Sequence, residues 1–171
     1  MKRRILFVMV AVILLTQNPA PRQVKADSGD RQRFVGTWRL VSEENISDSG
    51  KVSFDPVSGP HGVGYLIYAP DGYMCVGLMN PDRPNWTAPK EPTEKEKILL
   101  FDSFYAYCGK YEVHETEHVM MHLPELASTP DYVANKQPRP YKFDGDRMTF
   151  TGKNTATEGG GNYKIVWEKL K

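Results

Sequence analysis

Residues 64–79 read GYLIYAPDGYMCVGLM. Two apolar runs rich in aromatic and branched residues, 64–69 and 73–79, flank Pro70-Asp71-Gly72. Proline pre-sets the first corner of a tight turn, aspartate bonds nearby backbone, and glycine accepts positive φ. The stretch therefore predicts a β-hairpin. Alternation along 73–79 puts Tyr73, Cys75, Gly77 and Met79 on one face, and Met74, Val76 and Leu78 on the other.

The same signature recurs on both sides of this hairpin. The stretch FVGTWRLVS, starting at Phe34, leads into a strand over 37–44. There Trp38, Leu40 and Ser42 share one face, and Arg39, Val41 and Glu43 share the other. Glu43 and Glu44 fall on opposite faces, so they form no general acid/base pair. Asp48-Ser49-Gly50 is a turn, followed by a short strand at 51–54 and a Pro/Gly loop at 55–62. Residues 80–92 hold four prolines and read as an irregular loop. Thr93 then N-caps a helix with Glu94 and Glu96 in its first turn. Ile98, Phe101 and Tyr105 share one of its faces, and it runs to about Ala106, the one helix expected in the domain.

Strands return at 108–115 and 118–123. A looser stretch at 124–136 precedes strands at 138–143 and 147–152, which meet across Asp144-Gly145-Asp146, and a closing strand at 162–170. The class is all-β, with about eight to nine short antiparallel strands and one inserted helix at about 93–106. A sheet of that size curls, splits or closes to protect its edges, and an up-and-down barrel does so while enclosing an interior.

The chain has 171 residues and a formal net charge of +1, which hides an asymmetry. Lys2, Arg3 and Arg4 precede an uninterrupted apolar run from Ile5 to Leu15, and Val24-Lys25-Ala26 carries small residues where a signal peptidase reads them. Residues 1–26 are the layout of a secretory signal peptide, leaving a domain at 27–171. The apolar run is shorter than the roughly 20 residues that span a bilayer; an uncleaved anchor is the alternative, and no stable span is expected after cleavage. The segment carries five basic residues and no acid, so 17 Lys+Arg then face 21 Asp+Glu, a net charge of −4. A mildly acidic exported domain, periplasmic or secreted, is a poor match for nucleic acid. Asn45-Ile46-Ser47 and Asn85-Trp86-Thr87 are formal glycosylation sequons. Export permits a disulfide between Cys75 and Cys108, and two buried free thiols are the alternative.

The stretch HVMMHL places His118, Met120 and His122 on one strand face. Two imidazoles and a thioether suit a soft metal, but strand residues four apart sit about 13 Å apart at 3.3 Å per residue. A metal would need a ligand from another strand, such as Cys75 or His114, and the expectation is no metal and no cofactor. If that face points inward, the histidines become polar groups able to orient a ligand or move a proton near neutral pH. Tyrosines combine an apolar ring with a polar tip, which suits an amphipathic ligand. The candidate ligand contacts are Tyr73, Cys75, Tyr107, His118, Met120, His122 and Tyr141. No Gly-x-Ser-x-Gly, phosphate loop, His-Glu-x-x-His or Cys-x-x-Cys occurs, so hydrolase, kinase and redox readings have no positive support.

The segments GTWRLVS, GYLIYAPDGYMCVGLMNPDRP, YAYCGKYEVHE and YKFDGDRMTFTG, in this order, make the chain similar to the bacterial and fungal lipocalin-like domain family over about residues 32–169. The resemblance implies a lipocalin-like barrel whose interior holds an apolar or amphipathic small molecule. It implies that Gly36 and Trp38 are the Gly-x-Trp of the first strand. The tryptophan would close one barrel end against a basic residue of the last strand, for which Lys169 is the nearest candidate. Members often show a histidine pair where Glu117 and His118 stand here. Some lipocalin-like proteins act as cyclases or isomerases on a bound substrate. The leading expectation is an exported binding protein for a small apolar or amphipathic molecule. A cofactor-independent cyclase or isomerase using the same cavity is the alternative, and a filled structural barrel is a third reading.

Overall fold

The structure is a computed structural model that describes residues 29–87, 91–153 and 161–171. In chain order the elements are α1 (Asp30–Phe34), β1 (Gly36–Ile46), β2 (Val52–Phe54), β3 (Val63–Tyr68), β4 (Tyr73–Met79), α2 (Glu94–Asp102), β5 (Phe104–His114), β6 (Val119–Ala127), α3 (Pro130–Ala134), β7 (Gln137–Asp144), β8 (Arg147–Lys153) and β9 (Asn162–Lys169). Strands β3 to β9 follow one another as antiparallel neighbours, and β1 bonds to both β3 and β9. Eight strands thus close into an up-and-down barrel, and β2 hangs on the far half of β1 as a ninth. The expected signal segment 1–26 lies outside the described residues. Among the described residues no helix is long and apolar enough to cross a membrane.

The opening hairpin forms as its turn residues require. Gly72 takes φ 95°, the Gly72 N–H donates to the Ala69 carbonyl at 3.2 Å, and the Tyr73 N–H donates to Asp71 Oδ1 at 3.2 Å. A side chain at position 72 would be strained in that left-handed conformation. Closure of the barrel then decides which face of each strand is buried. On β4 it is Met74, Val76 and Leu78; on β3, Leu66 and Tyr68; on β8, Met148 and Phe150; on β9, Ile165 and Trp167. The candidates Tyr73 and Cys75 are thereby placed on the outer face: Tyr73 is 46% exposed, and Cys75 is exposed too. Interior volume selects the face carrying Met74, Val76 and Leu78, because these fill space with no polar atom to satisfy. Cys75 and Cys108 face each other across β4 and β5 and form a disulfide with Cα atoms 4.1 Å apart. Closing a loop of sequence separation 33 stabilises by about 3–4 kcal/mol in the chain-entropy account.

Three local readings change. The helix after the proline loop ends at Asp102, not near Ala106. Its start is as expected, with a capping box between Thr93 and Glu96. Its end is set by Ser103, whose hydroxyl donates to the Leu99 carbonyl at 2.6 Å. The aromatic run from Phe104 then enters β5, so Tyr105 packs against the core while Ile98 and Phe101 stay exposed. Two further short helices, α1 and α3, add to the one expected. Finally, β6 continues through Pro124 to Ala127, its register with β5 shifting between Cys108 and Gly109.

A second irregularity matters more for function. The pairing of β1 with β9 shifts between Leu40 and Ser42: Leu40 faces Trp167, Ser42 faces Val166, and Glu43 faces Ile165. One extra residue inverts the alternation. Trp38 and Leu40 point inward as a pair, but beyond the bulge Glu43, not Ser42, shares the side of Ile165.

Candidate functional site

The barrel's two halves are built from different chemistry. At one end, α1 lays Phe34 across the opening, fully buried. Its ring lies 5.4 Å from Tyr68, 4.8 Å from Tyr141 and 4.7 Å from Phe143, centroid to centroid. The Trp38 indole N–H donates to the Phe34 carbonyl at 2.8 Å, which fixes the plug to the first strand. Lys169 Nζ lies 5.2 Å from the Trp38 ring centroid and donates to the Arg33 carbonyl at 2.6 Å. The ammonium therefore satisfies a terminal carbonyl of α1 and stacks on the indole at once. Tyr141 donates to Asp30 Oδ2 at 2.6 Å, and Tyr111 donates to the Ala69 carbonyl at 2.9 Å. Every hydroxyl here has a local partner, so this end is a sealed base.

Deeper in, the pattern changes. His122 on β6 is buried between two tyrosines, with Nε2 2.6 Å from the Tyr68 hydroxyl and Nδ1 2.6 Å from the Tyr107 hydroxyl. Burial pushes the imidazole well below its usual range, helped by the Arg139 charge, so the ring is neutral and carries one N–H. Tyr68 is walled in by Phe34 and Tyr111. In either tautomer the neutral ring accepts from one of the two phenols and donates its single N–H to the other. The chain links Tyr68, His122 and Tyr107 and leads away from the base. Burial holds the Tyr68, Tyr105 and Tyr107 phenols above their usual range, so they stay protonated at neutral pH.

Beyond Tyr107 the interior is polar. Arg139 stands on β7 opposite Met120, in step with inward Tyr141. Its Nη1 donates to the Tyr163 hydroxyl at 3.2 Å, and the guanidinium lies 5.3 Å from that ring's centroid. Gly152 opposite Tyr163 makes room for this phenol: a Cβ there would sit 2.6 Å from the Tyr163 hydroxyl oxygen. Glu43, delivered inward by the bulge, has its carboxyl raised from 4.5 to about 7, mainly by burial and then by the Asp55 charge, with Ser58 and Arg139 opposing. The fully buried Ser58 hydroxyl lies against that carboxyl and lowers it by hydrogen bonding, and neither Glu43 Oε2 nor Ser58 Oγ has a further partner among the described residues. Trp167 Nε1 is buried without a partner among them.

Four of the seven candidate contacts, Tyr107, Met120, His122 and Tyr141, thus face the interior, and Tyr141 is committed to the base. Tyr73 and Cys75 do not. Neither does His118, expected on the same strand face as Met120 and His122. β6 begins at Val119, and His118 occupies a turn with φ 52°, its side chain 69% exposed and its Nδ1 3.8 Å from Asp30 Oδ2. The left-handed turn takes it outside the barrel, beside α1. Among the described residues no three His, Cys, Asp or Glu side chains gather as metal ligands would.

Glu43, Arg139 and Tyr163 are absent from the sequence-based candidates. Arg139 had a signal: Gln137, Arg139, Tyr141 and Phe143 alternate with the prolines at 138 and 140, which places the arginine on the face of two aromatics. Glu43 had none, because a bulge is invisible to strict alternation.

Comparison with known proteins agrees with this architecture. No curated protein matches the chain. A family model described as a lipocalin-like domain matches residues 35–170, from the start of β1 through the end of β9. With the Gly-x-Trp strand, the closed eight-stranded barrel and the Lys169–Trp38 stack, this match establishes that the chain belongs to the lipocalin-like domain family.

Proposed function

We propose that the protein is exported and binds a small amphipathic molecule inside the barrel. The apolar part would lie against Leu40, Met120 and Phe150, and the polar part among Tyr107, Arg139, Tyr163 and Glu43. The observation that carries this reading is the asymmetry of the interior: at the base every hydroxyl is answered locally, whereas farther in Glu43 and Ser58 have only each other and Trp167 Nε1 is buried without a partner among the described residues. Buried polar atoms of this kind cost stability unless something bonds them. Export is supported by the layout of residues 1–26 and by the Cys75–Cys108 disulfide, which an oxidising compartment sustains.

Methionine methyl NMR tests the binding reading. Met74, Met120 and Met148 report the interior, and Met79 reports the outer face. Small molecules extracted from the natively purified protein, added back to a stripped sample, are expected to shift the interior methyls and leave Met79 in place. Shifts confined to Met79 would overturn the reading. Sequencing of the exported protein is expected to begin at Asp27.

A second reading, a cofactor-independent isomerase or cyclase, is favoured by one feature. The Tyr68–His122–Tyr107 chain meets Tyr105, which feels the charge of Glu43, a carboxyl that titrates at about 7, where proton transfer in either direction is cheap. Tyr107→Phe should then abolish conversion of the bound molecule while binding persists.

A further inference from the structure

We infer that the polar half of the barrel is a receptor for a single negative charge, a carboxylate or equivalent monoanion, carried by an otherwise apolar molecule. The inference rests on the interior being a ligand site and adds the ligand's charge.

Its first support is an unbalanced cation. Arg139 stays protonated in proteins. Its partners among the described residues are neutral: the Tyr163 hydroxyl at 3.2 Å, Gln137 Oε1 at 3.5 Å and the Tyr107 hydroxyl. Its guanidinium is surrounded by side chains, with Tyr105, Tyr107 and Tyr163 close enough to feel its charge. Among the described residues no Asp or Glu oxygen lies within ion-pair distance of it, in contrast to Arg33, Arg39 and Arg147, each of which reaches a carboxylate. An enclosed charge is ordinarily paired, because leaving it unpaired costs several kcal/mol.

Glu43 is the acid nearest in effect, and it is not the missing partner. A carboxylate in contact with a guanidinium is pulled below its usual range. Glu43 moves the other way, since burial and the Asp55 charge outweigh Arg139.

The second support is a surplus of donors. The neutral His122 ring can accept from only one of Tyr68 and Tyr107, which leaves one phenol hydrogen for another acceptor. Arg139, with five N–H groups and only Tyr163, Gln137 and Tyr107 as acceptors among the described residues, adds to it. A ligand completing this set must accept hydrogen bonds and bring one negative charge. A dianion would overcompensate a single guanidinium next to Glu43 and Asp55.

Two fluorescent probes with the same ring system separate the possibilities: 8-anilinonaphthalene-1-sulfonate, an anion, and N-phenyl-1-naphthylamine, its neutral counterpart. Each is titrated into the purified protein at pH 6.5, with methionine methyl NMR locating the bound probe. The anion is expected to bind at least tenfold more tightly, to shift the Met120 methyl beside Arg139, and to lose its advantage in Arg139→Gln. Arg139→Lys, which keeps the charge, should retain part of it. Equal affinity of the two probes, or an advantage that survives Arg139→Gln, overturns the charge assignment even if Met120 moves. Should Arg139→Gln fail to fold, the wild-type affinity ratio decides alone. If neither probe moves an interior methyl, the interior-binding reading fails, and the charge assignment falls with it.

Discussion

The base and the polar half of this barrel are made from the same strands, and they solve opposite problems. At the base, β1, β7 and β9 contribute Trp38, Tyr141, Phe143 and Lys169, each polar atom closed onto the α1 plug. A few residues farther along, the same strands contribute Glu43, Arg139 and Tyr163, whose polar atoms are in part unanswered. A barrel can seal one end only because its strands alternate; whatever lines the other end is set by the same alternation, modified by one bulge. Substitutions at the base should therefore cost stability without altering ligand choice. Substitutions in the polar half should alter ligand choice and pH response at smaller or even favourable cost.

The hardest test falls on the base. Trp38→Ala removes the fully buried indole that anchors Phe34 and stacks under Lys169. Chemical denaturation should show a loss of about 3–5 kcal/mol. A variant as stable as wild type would mean that the plug is held by something else.

His122 lies on the boundary between the halves and comes next. His122→Phe leaves the Tyr68 hydroxyl buried without a side-chain partner among the described residues and takes one partner from Tyr107, at about 1–3 kcal/mol. Adding Tyr68→Phe and Tyr107→Phe should recover much of that, since removing both sides of a buried hydrogen bond is far cheaper than removing one. Failure of the triple variant to recover would show that packing, not bonding, dominates there.

The base was legible in the sequence and the polar half was not, for a physical reason. Trp38, the 64–79 hairpin and Lys169 belong to regular alternation and turn chemistry, which are local properties. Which face of β4 turns inward is a property of closure, and it reversed the standing of Tyr73 and Cys75. His118 was lost to a left-handed turn, and Glu43 was hidden by a register shift that only the β9 partner reveals. Arg139 was visible in phase with Tyr141, but a partly buried, inward arginine looks like a surface one until its surroundings are known.

Glu43 gives the sharpest contrast in pH response. Its folded carboxyl titrates at about 7 against 4.5 for the free group, so the folded state holds its proton longer. The associated stability is full below pH 4.5 and is lost as pH rises through 7. Above pH 8 the ionised, buried carboxylate costs up to about 3 kcal/mol, at about 1.4 kcal/mol per unit. Glu43→Gln should be more stable than wild type by up to that amount at pH 8.5, with the gain gone at pH 4.5. His122 acts in the opposite sense: its depressed folded value makes it a source of stability that fades as pH falls through the range where the unfolded imidazole protonates. Wild-type stability should therefore peak at mildly acidic pH, and Glu43→Gln should move the peak upward. An unchanged profile would place Glu43 in contact with water.

The smallest effect is assigned to the outer face, and its smallness is the point. Tyr73 and Met74 are neighbours on one strand, but only Met74 is inside. Tyr73 is 46% exposed, with Lys110 Nζ 5.7 Å from its ring centroid as its one cation–π contact among the described residues. Such an exposed stack is worth about 0.5–1 kcal/mol at most, and exposed substitutions commonly stay within about 0.5 kcal/mol. Tyr73→Ser should lie in that range by denaturation and leave the affinity for the anionic probe unchanged. If Tyr73→Ser weakened the probe as Arg139→Gln is expected to, the binding surface would lie on the outer wall, around Tyr65, Ile67 and the Cys75–Cys108 bridge. The two halves of the interior would then differ only in how they are packed.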